Sequence, residues 1–323
     1  MQETVDTAPP APAARPAADR GPAKRSLAHR ARRALAPLPW LAPALVLIGF
    51  VVLWPVWEMF QTSRQHFISS LGINLGDYGW KNYSTLFADP NLGSVMTRTV
   101  AWVAVIVAVT VVLSLGLAQL LNRSFPGRRV VRWALIAPWA ASVMMTAIVF
   151  RWMLDPNNGV INVFLHQIGV VKQYNGSRAS WLGDPTAAFW WMVAVAVFVS
   201  VPFTTYALLA GLSSIPADVY EAARMDGAGK VRTYWSITFP LLRPALLVSI
   251  VINLMNVFNS FPIIWTMTTG GPDYQTSTST IYMYSLKQFN IGESGALSVV
   301  NFGVVIIIVV AFLWANRSTL KEG

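Results

Sequence analysis

Long apolar stretches without charged side chains alternate along this chain with short polar segments that hold most of its arginine and lysine. A helix needs about 20 apolar residues to cross a bilayer core about 30 Å thick. Six stretches are long enough, and the third reaches that length by continuing past Arg151 to Leu154. The pattern predicts an all-α integral membrane protein with spans at about 38–61, 98–121, 131–154, 187–211, 243–266 and 294–315.

The basic residues are divided unevenly between the two sides that these spans define. Seventeen of the 24 Lys and Arg residues fall in the N-terminal tail, in the loops after the second and fourth spans, and in the C-terminal tail. Because cytoplasmic segments carry an excess of positive charge, this distribution predicts that both termini are cytoplasmic. The net charge of +10 is thus interpreted as membrane orientation, and no nucleic-acid partner is expected.

Three regions follow from the composition along the chain. Residues 1–37 are rich in Pro, Ala and Arg and have too little apolar surface to fold, which predicts a disordered cytoplasmic tail. Residues 38–317 form the predicted six-helix domain, and residues 318–323 a short cytoplasmic tail. In the outer loop at 155–186, the apolar periodicity of 160–171 predicts a short interfacial helix, which either packs at the headgroup level or docks an extracytoplasmic partner.

The composition excludes several kinds of chemistry. The chain is 54% hydrophobic and 12% charged, and it contains no cysteine, so disulfides and thiol catalysis are excluded. Its three histidines have no metal-ligand spacing, and no phosphate-binding GxxxxGK[ST] run is present. Ionisable residues are nearly absent from the spans, which disfavours a proton-coupled carrier and an intramembrane enzyme.

One polar segment of about thirty residues stands out between the fourth and fifth spans, and we call residues 215–244 the elbow. Pro216 suits the first turn of a helix, which the sequence predicts over 217–225. Gly227 ends that helix, a second one is expected over 230–239, and Pro240 is expected to stop it. The elbow either docks a partner or covers the end of its own bundle, and the physical pattern alone leaves both open.

Polar residues inside an apolar span are costly and tend to face the bundle or a cavity. Four in the fifth span lie on one side, because at 100° per residue they share an arc of about 120°. These residues are Asn253, Asn256, Asn259 and Ser260. Amides and hydroxyls both donate and accept hydrogen bonds, as sugar hydroxyls require, so this face suits a neutral, hydroxyl-rich ligand. The alternative is hydrogen bonding to the helices of a partner chain.

The elbow resembles the EAA loop, here about 213–242, of permease subunits of bacterial ABC importers. The motif is Glu221-Ala222-Ala223, three residues, Gly227, nine residues, Ile237 and Pro240, with Phe239 where the family usually has Leu. The carbohydrate branch, which includes the maltose permease, is indicated by further matches at Gly211-Leu212, Ile215 to Tyr220, Phe258 to Phe261 and Thr269 to Pro272.

This resemblance implies the type I ABC importer permease fold in a bacterial plasma membrane. It implies a coupling helix at about Ala217–Gly227 that docks on an ATPase. The residues expected to couple are Tyr220, Glu221, Ala222, Ala223, Asp226 and Gly227. The implied partners are a second permease subunit, expected to be a different chain, two ATP-binding subunits and an extracytoplasmic solute-binding protein. ATP and magnesium would be bound by the ATPase, and this chain would hold no cofactor and catalyse no reaction.

The resemblance also bears on the substrate pathway. Residues matching Asn259 and Ser260 contact sugar in the maltose-type permease, and Trp265 could stack on a sugar ring. Ser298 and Asn301 in the sixth span are further candidates. The expected substrate is a di- or oligosaccharide. Glycerol 3-phosphate or a glycerophosphodiester is the alternative within the family, and a stand-alone secondary carrier is the alternative outside it.

Overall fold

The structure is a computed structural model that describes residues 38–68, 72–169, 180–271 and 275–315. The predicted disordered tail at 1–37 and the C-terminal tail at 318–323 lie outside the described residues, so those two predictions stay predictions.

The described chain is mostly helical, in agreement with the predicted fold class. A short antiparallel hairpin, which the sequence did not predict, is the only β-structure in the described segments. The elements in chain order are α1 (Leu38–Ile48), a π-helical turn (Gly49–Leu53), α2 (Trp54–Ser63), β1 (Gln65–Ile68), β2 (Ile73–Asp77), α3 (Lys81–Ala88), α4 (Pro90–Asn122), α5 (Arg128–Ala140), α6 (Val143–Met153), α7 (Val160–Gln167), α8 (Pro185–Ser213), α9 (Ala217–Met225), α10 (Lys230–Thr233), a second π-helical turn (Tyr234–Thr238), α11 (Phe239–Phe258), α12 (Phe261–Thr268), α13 (Ser279–Phe289) and α14 (Ile291–Ala315).

Among the described residues, five helices are long and apolar enough to cross a membrane, and a sixth crossing results if α5 and α6 form one bent span. The first of them, Trp40–Ser63, combines α1, the first π turn and α2 into a span of 24 residues. The described chain divides into two units after Val56, and the remaining features all belong to the second unit.

The centre of the second unit is the packing of α4 against α8, with α11 beside them. Trp102, Ile106 and Met192 are fully buried in this core. Polar groups are buried there too: a serine hydroxyl and a tryptophan ring N–H each bond to the backbone of a neighbouring helix. The Ser114 hydroxyl donates to the Val201 carbonyl at 3.2 Å, and Trp102 Nε1 donates to the Val257 carbonyl at 3.1 Å. The spans are therefore held together by specific hydrogen bonds as well as by the packing of apolar side chains.

The predicted third span at 131–154 is wrong as a single helix, because α5 and α6 meet at a bend of 99°. Ala141 and Ser142 are both extended, and the Ser142 hydroxyl accepts from the Met145 backbone N–H at 3.1 Å, which caps α6. Pro138, inside the last turn of α5, removes one helical hydrogen bond just before the break. Pro138 and the capping Ser142 mark the bend in the sequence, but the apolar periodicity continues across them and gives no sign of it.

The predicted stop at Pro240 is also wrong, because the helix continues from Lys230 to Phe258 through the second π turn. The Phe239 N–H bonds to the Tyr234 carbonyl, five residues back, which widens the turn. Pro240 directly follows the π turn, where the hydrogen-bond pattern is already shifted, and the helix continues through this proline, which has no N–H to donate.

The fifth span, predicted as unbroken over 243–266, is interrupted at Asn259 and Ser260. The Phe261 N–H bonds to the Asn259 carbonyl at 2.8 Å across Ser260, whose φ of −79° and ψ of 53° are those of an inverse γ-turn. Pro262 has no N–H to satisfy in the first turn of α12. The break therefore leaves few backbone donors without partners.

At the other end of the unit, the β1–β2 hairpin and α3 sit against α14. Asn82 is fully buried, and its amide donates to the Ser63 and Gln65 carbonyls, both at 2.9 Å. The predicted interfacial helix at 160–171 appears as α7 over Val160–Gln167; residues 170 and 171 lie outside the described segments. The loop before α7 is fixed by Asp155, whose pKa is lowered by hydrogen bonds from the backbone N–H groups of Asn158 and Asn157.

A run of five polar residues, 276–280, is buried in the loop before α13 and the first turn of that helix. Its polar atoms bond to distant partners: the Ser279 N–H donates to the Thr99 hydroxyl at 2.8 Å, and Arg98 donates to the Ser277 carbonyl at 3.3 Å. Gly270 has a φ of 97° and lies so close to this run that a Cβ would overlap the Ser277 hydroxyl and approach Ile281 Cγ2 to 2.9 Å. The run fixes how α13 begins.

We expect Gly270→Ala to lower the free energy of unfolding by about 2–5 kcal/mol, because it combines a left-handed backbone with overpacking. Gly303→Ala is the matched control, since Gly303 lies in α14 with nothing within 4 Å of its Cβ position, and it should change stability by at most about 1 kcal/mol. Thermal or denaturant unfolding in detergent micelles measures both. Equal stability of the two variants would contradict the close packing at Gly270.

Candidate functional sites: the elbow and the cavity at the broken spans

The first helix of the elbow, α9, has its charges arranged along the helix dipole. It begins after Pro216, with Asp218 in the first turn and Arg224 in the last. A carboxylate near the N-terminus and a guanidinium near the C-terminus both stabilise a helix. These local signals explain why the predicted boundaries over 217–225 match the observed helix.

Gly227 ends α9 in a Schellman motif. The Gly227 N–H bonds to the Arg224 carbonyl at 3.0 Å, and the Ala228 N–H bonds to the Ala223 carbonyl at 2.9 Å. Gly227 has a φ of 72°, which a residue with a Cβ adopts only at a cost of about 1–2 kcal/mol. The turn redirects the chain into α10 within four residues and so defines the angle of the elbow.

The six residues predicted to couple divide between two faces of α9 and its cap. Ala223 is buried and Tyr220 half-buried, and Tyr220 accepts a hydrogen bond from the Thr238 hydroxyl at 3.4 Å. Tyr220 and Ala223 therefore hold α9 against the rest of the chain. The other four predicted residues are exposed: Glu221, Ala222, Asp226 and Gly227.

Met225 and Trp235 are exposed apolar side chains of the elbow that the sequence analysis did not include among the coupling residues. Met225 is 89% exposed at the end of α9, and Trp235 is 61% exposed in the second π turn. An amphipathic reading of α9 alone could have found Met225, because it lies four residues after Glu221 and so on the same face. The exposed face of α9 therefore combines the charge of Glu221 with the apolar side chains of Ala222 and Met225.

The second site is a cavity of about 410 Å³ located where the two broken spans meet. The α5–α6 break contributes Ala141, and the α11–α12 break contributes Asn259 and Ser260. The complete lining is Trp139, Ala141, Val143, Ala196, Val199, Ser200, Phe203, Asn253, Asn256, Val257, Asn259, Ser260, Pro262 and Ile263. Irregular backbone at membrane depth is tolerated where it lines such a cavity or is buried in protein, so the two interruptions and the cavity form one feature.

All four polar residues predicted in the fifth span line this cavity, but their hydrogen bonding differs. Asn253 is 3% exposed, and its amide donates to the Thr204 hydroxyl at 2.7 Å and the Ser249 carbonyl at 2.9 Å. Asn259 donates to the Met255 carbonyl at 3.0 Å and stays exposed. Asn253 thus joins two helices, as the alternative interpretation expected, although the partner helix is in the same chain.

Asn256 and Ser260 are the polar groups with unused hydrogen-bonding capacity. Asn256 is exposed and makes no hydrogen bond within the described segments. The Ser260 hydroxyl oxygen is buried and likewise has no partner in that part of the chain. A buried hydroxyl without a partner is costly, and it loses that cost when a ligand or water bonds to it.

Ten of the fourteen lining residues were not predicted, and those with an aromatic ring or a hydroxyl are Trp139, Ser200 and Phe203. They lie on α5 and α8, and only the folded arrangement brings them beside the fifth span. The described lining contains aromatic rings, amides and hydroxyls, with no Asp, Glu, Lys or Arg. Its chemistry is therefore neutral and both donating and accepting.

The remaining pathway predictions lie outside this cavity. Trp265 belongs to an aromatic cluster, with ring centroids 5.5 Å from Phe261 and 4.8 Å from Tyr284. The Ser298 hydroxyl bonds to the Ser294 carbonyl at 2.8 Å. Asn301 is 7% exposed, and neither atom of its amide has a partner in the described segments. None of the three residues lines the cavity that the asparagines of the fifth span border.

Comparison with known proteins adds independent findings. Residues 110–318 match the model of the family described as "Binding-protein-dependent transport system inner membrane component". A probable ABC transporter permease protein of Brucella suis biovar 1 is 37% identical, over 84% of this chain and 93% of that protein. The trehalose/maltose transport system permease protein MalF of Thermococcus litoralis is 31% identical, over 86% and 92%.

Two further comparisons concern substrate and fold. The sn-glycerol-3-phosphate transport system permease protein UgpA of Yersinia enterocolitica is 30% identical, over 87% of this chain and 94% of that protein. A chain in the crystal structure of a bacterial alginate ABC transporter, solved with an alginate pentasaccharide-bound periplasmic protein, superposes with a TM-score of 0.74. That match covers 91% of this chain and 98% of the other at 21% identity, and it confirms the predicted fold.

We expect Asn253→Ala to destabilise the protein, and Asn256→Ala, its matched control three residues along the same helix, to leave stability unchanged. Asn253 bonds to α8 through Thr204, whereas Asn256 bonds to nothing in the described chain. A double-mutant cycle with Thr204→Val should give a coupling energy of about 0.6–1.7 kcal/mol, measured by unfolding in mixed micelles. A coupling near zero would remove the structural role assigned to Asn253.

Proposed function

The chain belongs to the family of inner membrane components of binding-protein-dependent transport systems, and from that premise we propose that it is the permease subunit of an ATP-driven importer of sugars. In this proposal it forms half of a translocation pathway and itself catalyses no reaction. The family is one of membrane components that work with a binding protein, so a stand-alone secondary carrier has no support.

The observation that carries the sugar assignment is the uncharged cavity at the meeting point of the two breaks. Asn256 and Ser260 offer unused hydrogen-bonding groups beside the rings of Trp139 and Phe203. Sugar hydroxyls need groups that donate and accept, and the apolar faces of sugar rings pack on aromatic rings. The relative from Thermococcus litoralis, named for trehalose and maltose, agrees with this chemistry.

Glycerol 3-phosphate is the second candidate, because a relative named for it covers as much of this chain. A phosphate is bound most strongly by Arg or Lys. The described cavity lining has neither, which favours the neutral substrate.

The elbow is proposed to couple the permease to an ATP-hydrolysing subunit that binds ATP and magnesium. Its exposed face presents Glu221 as a charge for a basic partner, with Ala222 permitting close approach and Met225 adding apolar contact. The uneven distribution of basic residues supports cytoplasmic termini and a cytoplasmic elbow. A second, unlike permease chain, a second ATPase and an extracytoplasmic solute-binding protein complete the proposed assembly.

We expect Glu221→Arg to reduce copurification of the ATPase by about tenfold or more, because a charge that favours a basic partner becomes one that repels it. Arg129→Glu is the control: Arg129 is also exposed near the elbow end of the spans, and the charge change has equal size. Affinity purification from the native membrane followed by quantitative mass spectrometry measures the ratio. If the two variants lose the ATPase equally, or if the unmodified chain purifies alone, the coupling proposal fails.

We expect Asn256→Ala and Ser260→Ala each to slow sugar uptake about fivefold with the ATPase still bound, since each removes one substrate hydrogen bond worth about 1 kcal/mol. The readout is uptake of labelled di- and oligosaccharides and of glycerol 3-phosphate by cells carrying each variant. Ser298→Ala, which alters a hydroxyl outside the cavity, serves as the control. Uptake of glycerol 3-phosphate but of no sugar would transfer the assignment to the second candidate.

A further inference from the structure

A second cavity, of about 560 Å³, opens beneath the elbow and shares no lining residue with the first. It lies between the end of α4, the end of α8 and the two helices of the elbow. Its lining is Gln119, Asn122, Arg123, Leu212, Tyr220, Arg224, Ala228, Lys230, Thr233, Tyr234 and Thr238. The mechanism proposed above uses the outward face of α9, and it leaves this inner cavity without a role.

The cavity is strongly basic. Arg123 directly after α4, Arg224 in α9 and Lys230 at the start of α10 all line it, and its described lining contains no carboxylate. None of the three forms an ion pair within the described segments, where the one ion pair joins Arg64 to Asp77. Three uncompensated cations around one space repel one another, and an anion placed between them relieves that repulsion.

The polar groups around these cations suit a phosphate. Arginine binds phosphate oxygens through paired N–H donors, and lysine adds a compact positive charge. The hydroxyls of Tyr220 and Tyr234 and the amides of Gln119 and Asn122 add neutral donors within the same cavity. This donor set has the chemistry of an anion site and differs from the neutral cavity at the broken spans.

The position of the cavity identifies the source of that phosphate. Arg123 is the first residue after α4, and Leu212 is the last but one of α8, so the cavity lies level with the ends of two spans. Lipid headgroups occupy that level, and basic pockets between spans bind anionic headgroups. We propose that the cavity binds the phosphate of an anionic phospholipid headgroup, which joins the end of α4 to the elbow.

This inference requires only that the elbow end of the bundle lies at a membrane face, and it does not depend on the proposed substrate or ATPase. The test uses the full-length chain in nanodiscs of phosphatidylcholine with an increasing fraction of phosphatidylglycerol. Native mass spectrometry after release from the nanodisc counts the lipids that remain bound. The unmodified chain should retain phosphatidylglycerol in saturable preference to phosphatidylcholine.

The decisive variant is the pair Arg123→Gln and Lys230→Gln, both at exposed positions. Its apparent affinity for phosphatidylglycerol should fall about 25-fold or more, since each surface charge alone changes binding about fivefold. The matched control pair, Arg129→Gln and Arg243→Gln, removes the same charge from exposed positions near the same end but outside the cavity. It should retain clearly more phosphatidylglycerol, and a thermal melt of each pair verifies that both remain folded.

Three results would overturn the proposal. Equal losses in the two pairs would mean a diffuse charge effect rather than a site. Binding of inorganic phosphate in pure phosphatidylcholine nanodiscs, abolished by the Arg123 and Lys230 pair, would mean a soluble phosphate ligand. Loss of phosphatidylglycerol when the copurified partner subunits are present would mean that the cations face an acidic group of a partner.

Discussion

The hydrogen bonding of the backbone inside a bilayer constrains this chain more than any other interaction. No water is available there to bond an exposed N–H or carbonyl, so a span can be interrupted only where its backbone finds other partners. The chain interrupts two spans, and at both places a local bond closes the gap: Ser142 caps α6, and the Phe261 N–H bonds to the Asn259 carbonyl. Both interruptions border the same cavity, so the energetic cost of broken helices is concentrated where the chain needs polar groups.

Polar side chains within the spans serve two different purposes. The side chains of one group form hydrogen bonds to a neighbouring helix and so fix how the helices pack, as in the pairs Asn253–Thr204 and Ser114–Val201. The other, represented by Asn256 and Ser260, retains bonding capacity toward the cavity. Counting polar residues on a helical face cannot separate these purposes, because Asn253 and Asn256 share residue type, helix and face. Separation requires knowing what the neighbouring helix presents.

The sequence predicted features that depend on local signals and missed those that depend on distant contacts. The bounds of α9 follow from Pro216 and Gly227, which act within a single turn, and the cavity asparagines follow from helical periodicity. The bend after α5 was missed because apolar periodicity continues across it, although Pro138 and Ser142 mark it locally. The buried run at 276–280 could not be predicted, because its partners Arg98 and Thr99 lie about 180 residues away along the chain.

The π turn at Tyr234–Thr238 has a consequence for the angular phase of the fifth span. Each residue advances a helix by 100°, so the additional residue of a π turn rotates everything after it by about that angle relative to an unbroken α-helix. The first helix of the elbow, α9, lies before this turn, and the asparagines of the cavity lie after it. The direction in which Asn256 points is thus set about twenty residues before it along the chain. If that one turn became α-helical, a different set of side chains from the fifth span would face the cavity, although the sequence of the span were unchanged.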